Sequence, residues 1–269
     1  MNIVEVYRNL SGQRLWTREE LTRRLGSPYL ANWYIYSLGK KDLLRRVRRD
    51  LYAVINTTYG VPYANRYQIG SKINDEAYIY GMSAFAYHGL ANQESNQVLV
   101  GCSKRFNHFI FDWVEYVHVA DACHTGIETI PGGDPIRVAS IERAFADCLR
   151  ECKSDTYFEQ LLNCLESIRG FDEEKLLECL SRFGEKKVYQ KAGYIFDVLK
   201  ERFSVSDSFQ SALQEHKPFS KTYFYKSNLE LAFYPKWNLY APKNPYKLLM
   251  KGGIDDGAIE WVKLGGNRR

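Results

Sequence analysis

Apolar positions recur at helical spacing three times within the first forty residues and then switch to alternation. Ile3, Val6, Tyr7 and Leu10 mark an amphipathic helix over residues 3–10. A second begins at Thr17, whose hydroxyl can cap the new helix while Glu20 reaches back to the Thr17 amide, with Leu21 and Leu25 facing inward. Gly26 stops it. Ser27 then offers an N-cap and Pro28 the favoured first helical position, so a third helix runs from Pro28 to Lys40. The stretch LLRRVRRDLYAV that follows reads as two strands around a basic turn at Arg48, Arg49 and Asp50. Three short helices and a hairpin wing make residues 1–60 a winged helix-turn-helix.

Beyond it the pattern is mixed. Residues 61–74 read as a connector with a short helix. A helix near Met82–His88 precedes strands near 97–102, 109–119, 124–130 and 135–138. Apolar stripes then predict helices over 156–169 (Phe158, Leu161, Leu162, Leu165, Ile168), 172–183 (Leu176, Leu177, Leu180, Phe183) and 185–200 (Val188, Ile195, Leu199). The expected fold is therefore α+β, with the winged module followed by a mixed α/β domain over 75–200 that ends in a helical layer. Residues 201–269 form an extension rich in Tyr, Pro and Lys without a clear period, and no structure is assigned to it.

Charge sharpens this division. Residues 1–60 hold 11 Lys and Arg against 5 Asp and Glu, whereas the remainder holds 26 against 27, so all of the net charge of +5 is N-terminal. At 45% hydrophobic and 26% charged residues the composition is that of a folding chain. No apolar run has the length of a membrane span, and the first residues lack the apolar core and small-residue cleavage site of a signal peptide, which points to the cytoplasm. The six cysteines show no paired CxxC spacing and read as reduced, buried thiols. With no GxGxxG or P-loop sequence, no nucleotide cofactor is implied. His88, Glu142 and Asp147 could be gathered into an acid-base or metal site, but no HxxxH or HExxH spacing supports it. Structural roles suffice: His88 before Gly89 ends a helix, and Arg143 with Asp147 forms an i,i+4 ion pair worth about a few tenths of a kcal/mol if exposed.

The third helix carries the candidate site. Ala31, Tyr34, Ile35 and Leu38 fall on one stripe suited to a small core, and Tyr29, Asn32, Trp33, Tyr36 and Lys40 fall on the opposite face. Large aromatics outside a core mean contact with something, either the second domain or, in a helix-turn-helix, the major groove. Asn32 suits bidentate pairing with adenine, and the aromatics suit thymine methyl groups or phosphates. Lys40, Lys41, Arg45, Arg46, Arg48 and Arg49 lie within ten residues, opposed only by Asp42, a density that matches the phosphates of a duplex. Arg46, Arg48 and Arg49 are expected to ride on the wing.

Three segments resemble one family. LTRRLG followed by SLGKKDLLRRVRRDLYAV is similar to the winged-helix module of AbiEi-family antitoxins, although Asp50 stands where the family pattern has Gly. AYIYGMSAFAYHGL and IRVASIERAFADCLRE resemble two strand-helix segments of the same family, in the same order, so the similarity spans roughly residues 15–200. The resemblance implies a repressor that binds inverted repeats in its own operator. It also implies an antitoxin of a type IV toxin-antitoxin system, counteracting a nucleotidyltransferase toxin without needing a stable complex with it. The residues alone leave two other readings open: a winged module delivering a nuclease or other nucleic-acid-modifying domain, and a transcription factor with a sensing domain.

Overall fold

The caps read from the sequence at Thr17 and Ser27 form, and one at Asn2 joins them. The computed structural model describes residues 2–92, 95–245 and 248. Asn2 and Glu5 close a capping box on α1 (Ile3–Leu10), and Thr17 and Glu20 close another on α2 (Arg18–Leu25), which Gly26 ends at a φ of +86°. Ser27 caps α3 (Pro28–Lys40). Between the first two helices runs a strand not expected from the sequence, β1 (Leu15–Thr17). It pairs antiparallel with β3 (Leu51–Asn56), which pairs on its other side with β2 (Leu44–Arg48) and at its end with β4 (Val61–Pro62). Asp50 takes the left-handed turn position between β2 and β3, at a φ of +61°, which aspartate tolerates better than most residues.

This small sheet has two buried faces. Trp16, Leu44, Tyr52 and Val54 pack with Val6, Leu10, Leu21, Ala31, Tyr34 and Leu38 of the three helices. Leu15, Val47, Leu51 and Ala53 join the larger core of the rest of the chain. The register explains Val47: Arg46 faces Tyr52 but Arg48 faces Leu51, so a β-bulge adds one residue at this point and turns the strand.

The larger half is a six-stranded mixed sheet backed by helices. In chain order it holds α4 (Arg66–Ser71), β5 (Tyr78–Ile79), α5 (Gly81–Tyr87), β6 (Gln97–Cys102), β7 (Phe109–Phe111), β8 (Val114–Ala120), β9 (Ile127–Ile130) and β10 (Ile136–Ala139). The strand order is β7-β8-β6-β5-β10-β9, with β6/β8 and β5/β10 parallel. There follow α6 (Ile141–Glu151), α7 (Asp155–Glu166), α8 (Glu173–Arg182), α9 (Lys187–Val198) and α10 (Asp207–His216). A three-stranded sheet, β11 (Thr222–Tyr223), β12 (Leu231–Tyr234) and β13 (Leu239–Pro242), closes the described chain. Trp237, between β12 and β13, fits against Gly193 of α9 so closely that a Cβ there would lie 2.3 Å from the indole. The fold is α+β, as the sequence pattern predicts.

Two expected strands need correction. The strand expected over 109–119 is a hairpin, broken by Asp112 and Trp113, both left-handed. The strand expected from His124 begins at Ile127. The connector carries its expected short helix, α4, which packs on β5, β6 and β10, and the Lys72 ammonium lies 2.7 Å from Glu20 of α2. The backbone N–H of Arg14 also donates to buried Asp134 across the seam at 2.7 Å. The extension beyond residue 200 is ordered in helix and strand through its described part, and residues 249–269 lie outside the described residues.

Arg143 and Asp147 form the expected i,i+4 ion pair, with both side chains fully buried. All five guanidinium N–H groups find acceptors: Asp147 at 2.7 Å, Asp121, the Tyr78 hydroxyl at 2.9 Å, and the carbonyls of Cys123 and Thr125. Burial pushes the Asp147 carboxyl up to about 7, against the pull of Arg143. His88 ends α5 as expected and bonds the Ala139 carbonyl at 2.8 Å. The six cysteines are free thiols, five of them buried.

Candidate nucleic-acid interface

Helix α3 divides by face as its sequence wheel does. Ala31, Tyr34 and Leu38 are buried under the small sheet. Outward stand Tyr29, Trp33 and Tyr36, 76%, 48% and 61% exposed, with Asn32 and Lys40 beside them. Among the described residues none of these aromatics packs into the second half of the chain, and the face stands exposed. Trp33 rests edge-on against Tyr34 at 4.7 Å, and the Lys40 ammonium lies 4.6 Å from the Tyr36 ring centroid. Both contacts stiffen the face without covering it.

The basic run splits in two. Lys40, Lys41, Arg46 and Arg49 are exposed, and among the described residues Lys40, Lys41 and Arg46 have no carboxylate partner, while Arg49 meets Asp50 at 3.5 Å. Arg45 is held by Asp42 at 2.8 Å, by Asp112 of the β7/β8 turn at 3.9 Å and by the Gly60 carbonyl. Arg48 does not ride free on the wing. The bulge turns it toward the second half, where its guanidinium lies over Phe106 and Phe109 and burial lowers its pKa. Contacts from Arg48 to Phe109 and from Arg45 to Asp112 thus tie β2 to the β7/β8 hairpin.

One residue absent from the sequence reading belongs to the site. Arg18, the first residue of α2, donates through Nε to Asn32 Oδ1 at 3.2 Å, with a second guanidinium nitrogen on the same oxygen, and reaches Asp50 at 3.8 Å. Nothing in the local pattern marks it, since a charged residue after an N-cap is common and its two partners lie 14 and 32 positions onward. Among the described residues no cluster of three or more His, Cys, Asp or Glu could hold a metal, and no helix is long and apolar enough to cross a membrane. The arrangement can present hydrogen-bond donors, aromatic edges and four cations to an extended anionic surface; it offers no nucleophile paired with a base.

No family model matches the chain, and no curated protein matches it. Among solved structures it is similar to the RV2827C protein from Mycobacterium tuberculosis, with 17% identity and a TM-score of 0.58 over 93% of this chain and 94% of that chain. At that identity the likeness concerns the fold alone, and it extends through both halves of the molecule.

Proposed function

We propose that residues 1–60 form a winged helix-turn-helix that reads duplex DNA in the major groove through the outer face of α3, with Lys40, Lys41, Arg46 and Arg49 on flanking phosphates. The observation that carries this reading is the open face itself. Three large aromatics and an amide stand exposed on a capped helix whose other side is buried, beside Lys40, Lys41 and Arg46, which among the described residues meet no carboxylate. The order helix, strand, helix, helix, hairpin supports it.

By its resemblance to AbiEi-family antitoxins, the chain is then a cytoplasmic autorepressor binding inverted repeats. Its second half antagonises a nucleotidyltransferase toxin encoded beside it. The decisive test is binding of the full chain to its own promoter DNA in the presence of random competitor duplex. Tyr36→Ala should cost about 1 to 3 kcal/mol at the specific site and little on random sequence. Equal affinity of the unaltered chain for both duplexes overturns sequence reading by α3.

A further inference from the structure

Arginine can only donate hydrogen bonds, so the amide atom of Asn32 that faces Arg18 must be its oxygen. Two nitrogens of one guanidinium edge converge on that oxygen and engage it in a charge-assisted contact. The Asn32 Nδ2, on the other side of the amide carbon, is then turned away from Arg18 with two donors to offer. Arg18 is itself held from the wing: its Nη1 lies 3.8 Å from the Asp50 carboxylate, and its backbone N–H donates to the Asp50 carbonyl at 3.0 Å. Asp50 sits at a φ of +61°, where glycine is the least strained residue, and what its side chain adds over glycine is this grip on Arg18 and Arg49.

We infer that Arg18, anchored by Asp50, is a positioning residue that makes Asn32 a donor-only reader, so that Asn32 selects guanine and not adenine. The inference rests on the DNA-reading role proposed for α3. A free asparagine amide favours adenine because it donates to N7 while accepting from the N6 amino group. An amide whose oxygen is already engaged loses the accepting half of that pair. Guanine presents two adjacent acceptors, N7 and O6; thymine presents one, O4; cytosine presents a donor and is rejected.

The test is selection of bound duplexes from a randomised pool by the full chain, comparing the unaltered protein with Asn32→Ala, Arg18→Ala and Asp50→Gly, each checked for an unchanged thermal melt. One operator position should lose its preference in Asn32→Ala. The unaltered chain should favour guanine there by about tenfold over adenine. Arg18→Ala should shift that position toward adenine, and Asp50→Gly, which keeps the turn, should shift it the same way to a lesser degree. Should Arg18→Ala bind too weakly to select, Asp50→Gly decides. Adenine at that position in the unaltered chain, an unchanged base in the Arg18 and Asp50 variants, or no position that depends on Asn32 overturns the inference and leaves α3 as the reading helix. Failure of the unaltered chain to bind any duplex overturns both.

Discussion

The guanidinium of Arg48 lies 5.4 Å from the ring centroid of Phe106 and 5.7 Å from that of Phe109, which makes a wing cation part of the seam between the two halves. Phe106 is buried beneath it, and Val47, its neighbour on the bulged strand, is buried in the same core. The β2/β3 hairpin is therefore mounted on the second half, and its outer cations are Arg46 and Arg49.

Arg48 and Arg49, adjacent in sequence, should accordingly behave as opposites. Arg48→Ala removes a guanidinium packed on two rings and should destabilise the chain by about 0.5 to 2 kcal/mol, with little effect on the salt dependence of duplex binding. Arg49→Ala should leave the melting temperature unchanged and reduce the salt slope by about 1. Thermal melts and titrations on the two variants check this; a reduced slope for Arg48→Ala would return that residue to the phosphates.

For the unaltered chain, four outward cations rather than six set the electrostatic term. Lys40, Lys41, Arg46 and Arg49 predict a slope of log K against log salt of about −3 to −4. Anisotropy titrations across a series of salt concentrations measure it directly. A slope near zero would remove phosphate contact from the proposed function.

What was legible in the sequence was local. The capping box at Thr17/Glu20, the Gly26 stop and the Ser27–Pro28 start each lie within one turn of helix, and the faces of α3 follow from its period. What was not legible depends on distant partners. Strand β1 is three residues long and exists because Leu15 pairs with Ala53. The bulge that separates Arg46 from Arg48 leaves no mark in LLRRVRRD. The β7/β8 turn is FDWV, with neither Asn-Gly nor Asp-Gly to announce it. Arg143 and Asp147 have the same i,i+4 spacing whether a helix face meets water or a core.

That buried pair gives a pH prediction with a definite sign. An unfolded aspartate titrates near about 3.9, whereas folded Asp147 is pushed up to about 7 by burial, against the attraction of Arg143. Between those values the folded chain holds a proton that the unfolded chain has lost. The stability this group contributes is thus fully present below about pH 4 and is lost as the pH rises toward about 7. Urea midpoints should fall from about pH 5 to about pH 7.5, and Asp147→Asn should flatten that fall. Removing the other partner is harsher: Arg143→Ala strips buried Asp147 of its ion-pair partner and should cost about 3 to 5 kcal/mol. A midpoint that rises over this range would show that Asp147 is ionised throughout.

The seam also decides how the proposed repression and the proposed antitoxicity should be tested apart. Cutting the chain near Tyr63 would strip Leu15, Val47, Leu51 and Ala53 from the shared core and release the Lys72–Glu20 and Arg14–Asp134 contacts, so loss of function in such a fragment would not distinguish misfolding from mechanism. Charge reversal on the exposed wing avoids this. Arg46→Glu with Arg49→Glu in the full chain places two acids where phosphates would approach, far from either core, and should leave the melting temperature within a few degrees of the unaltered chain. The variant should lose promoter binding and derepress a reporter. If the second half carries an antitoxic function of its own, the variant supplied from an unrelated promoter should still rescue cells from the neighbouring toxin. Rescue lost in a folded variant would make DNA binding part of the antitoxic act. Rescue absent for the unaltered chain as well would leave a repressor, and the antitoxin role would be withdrawn.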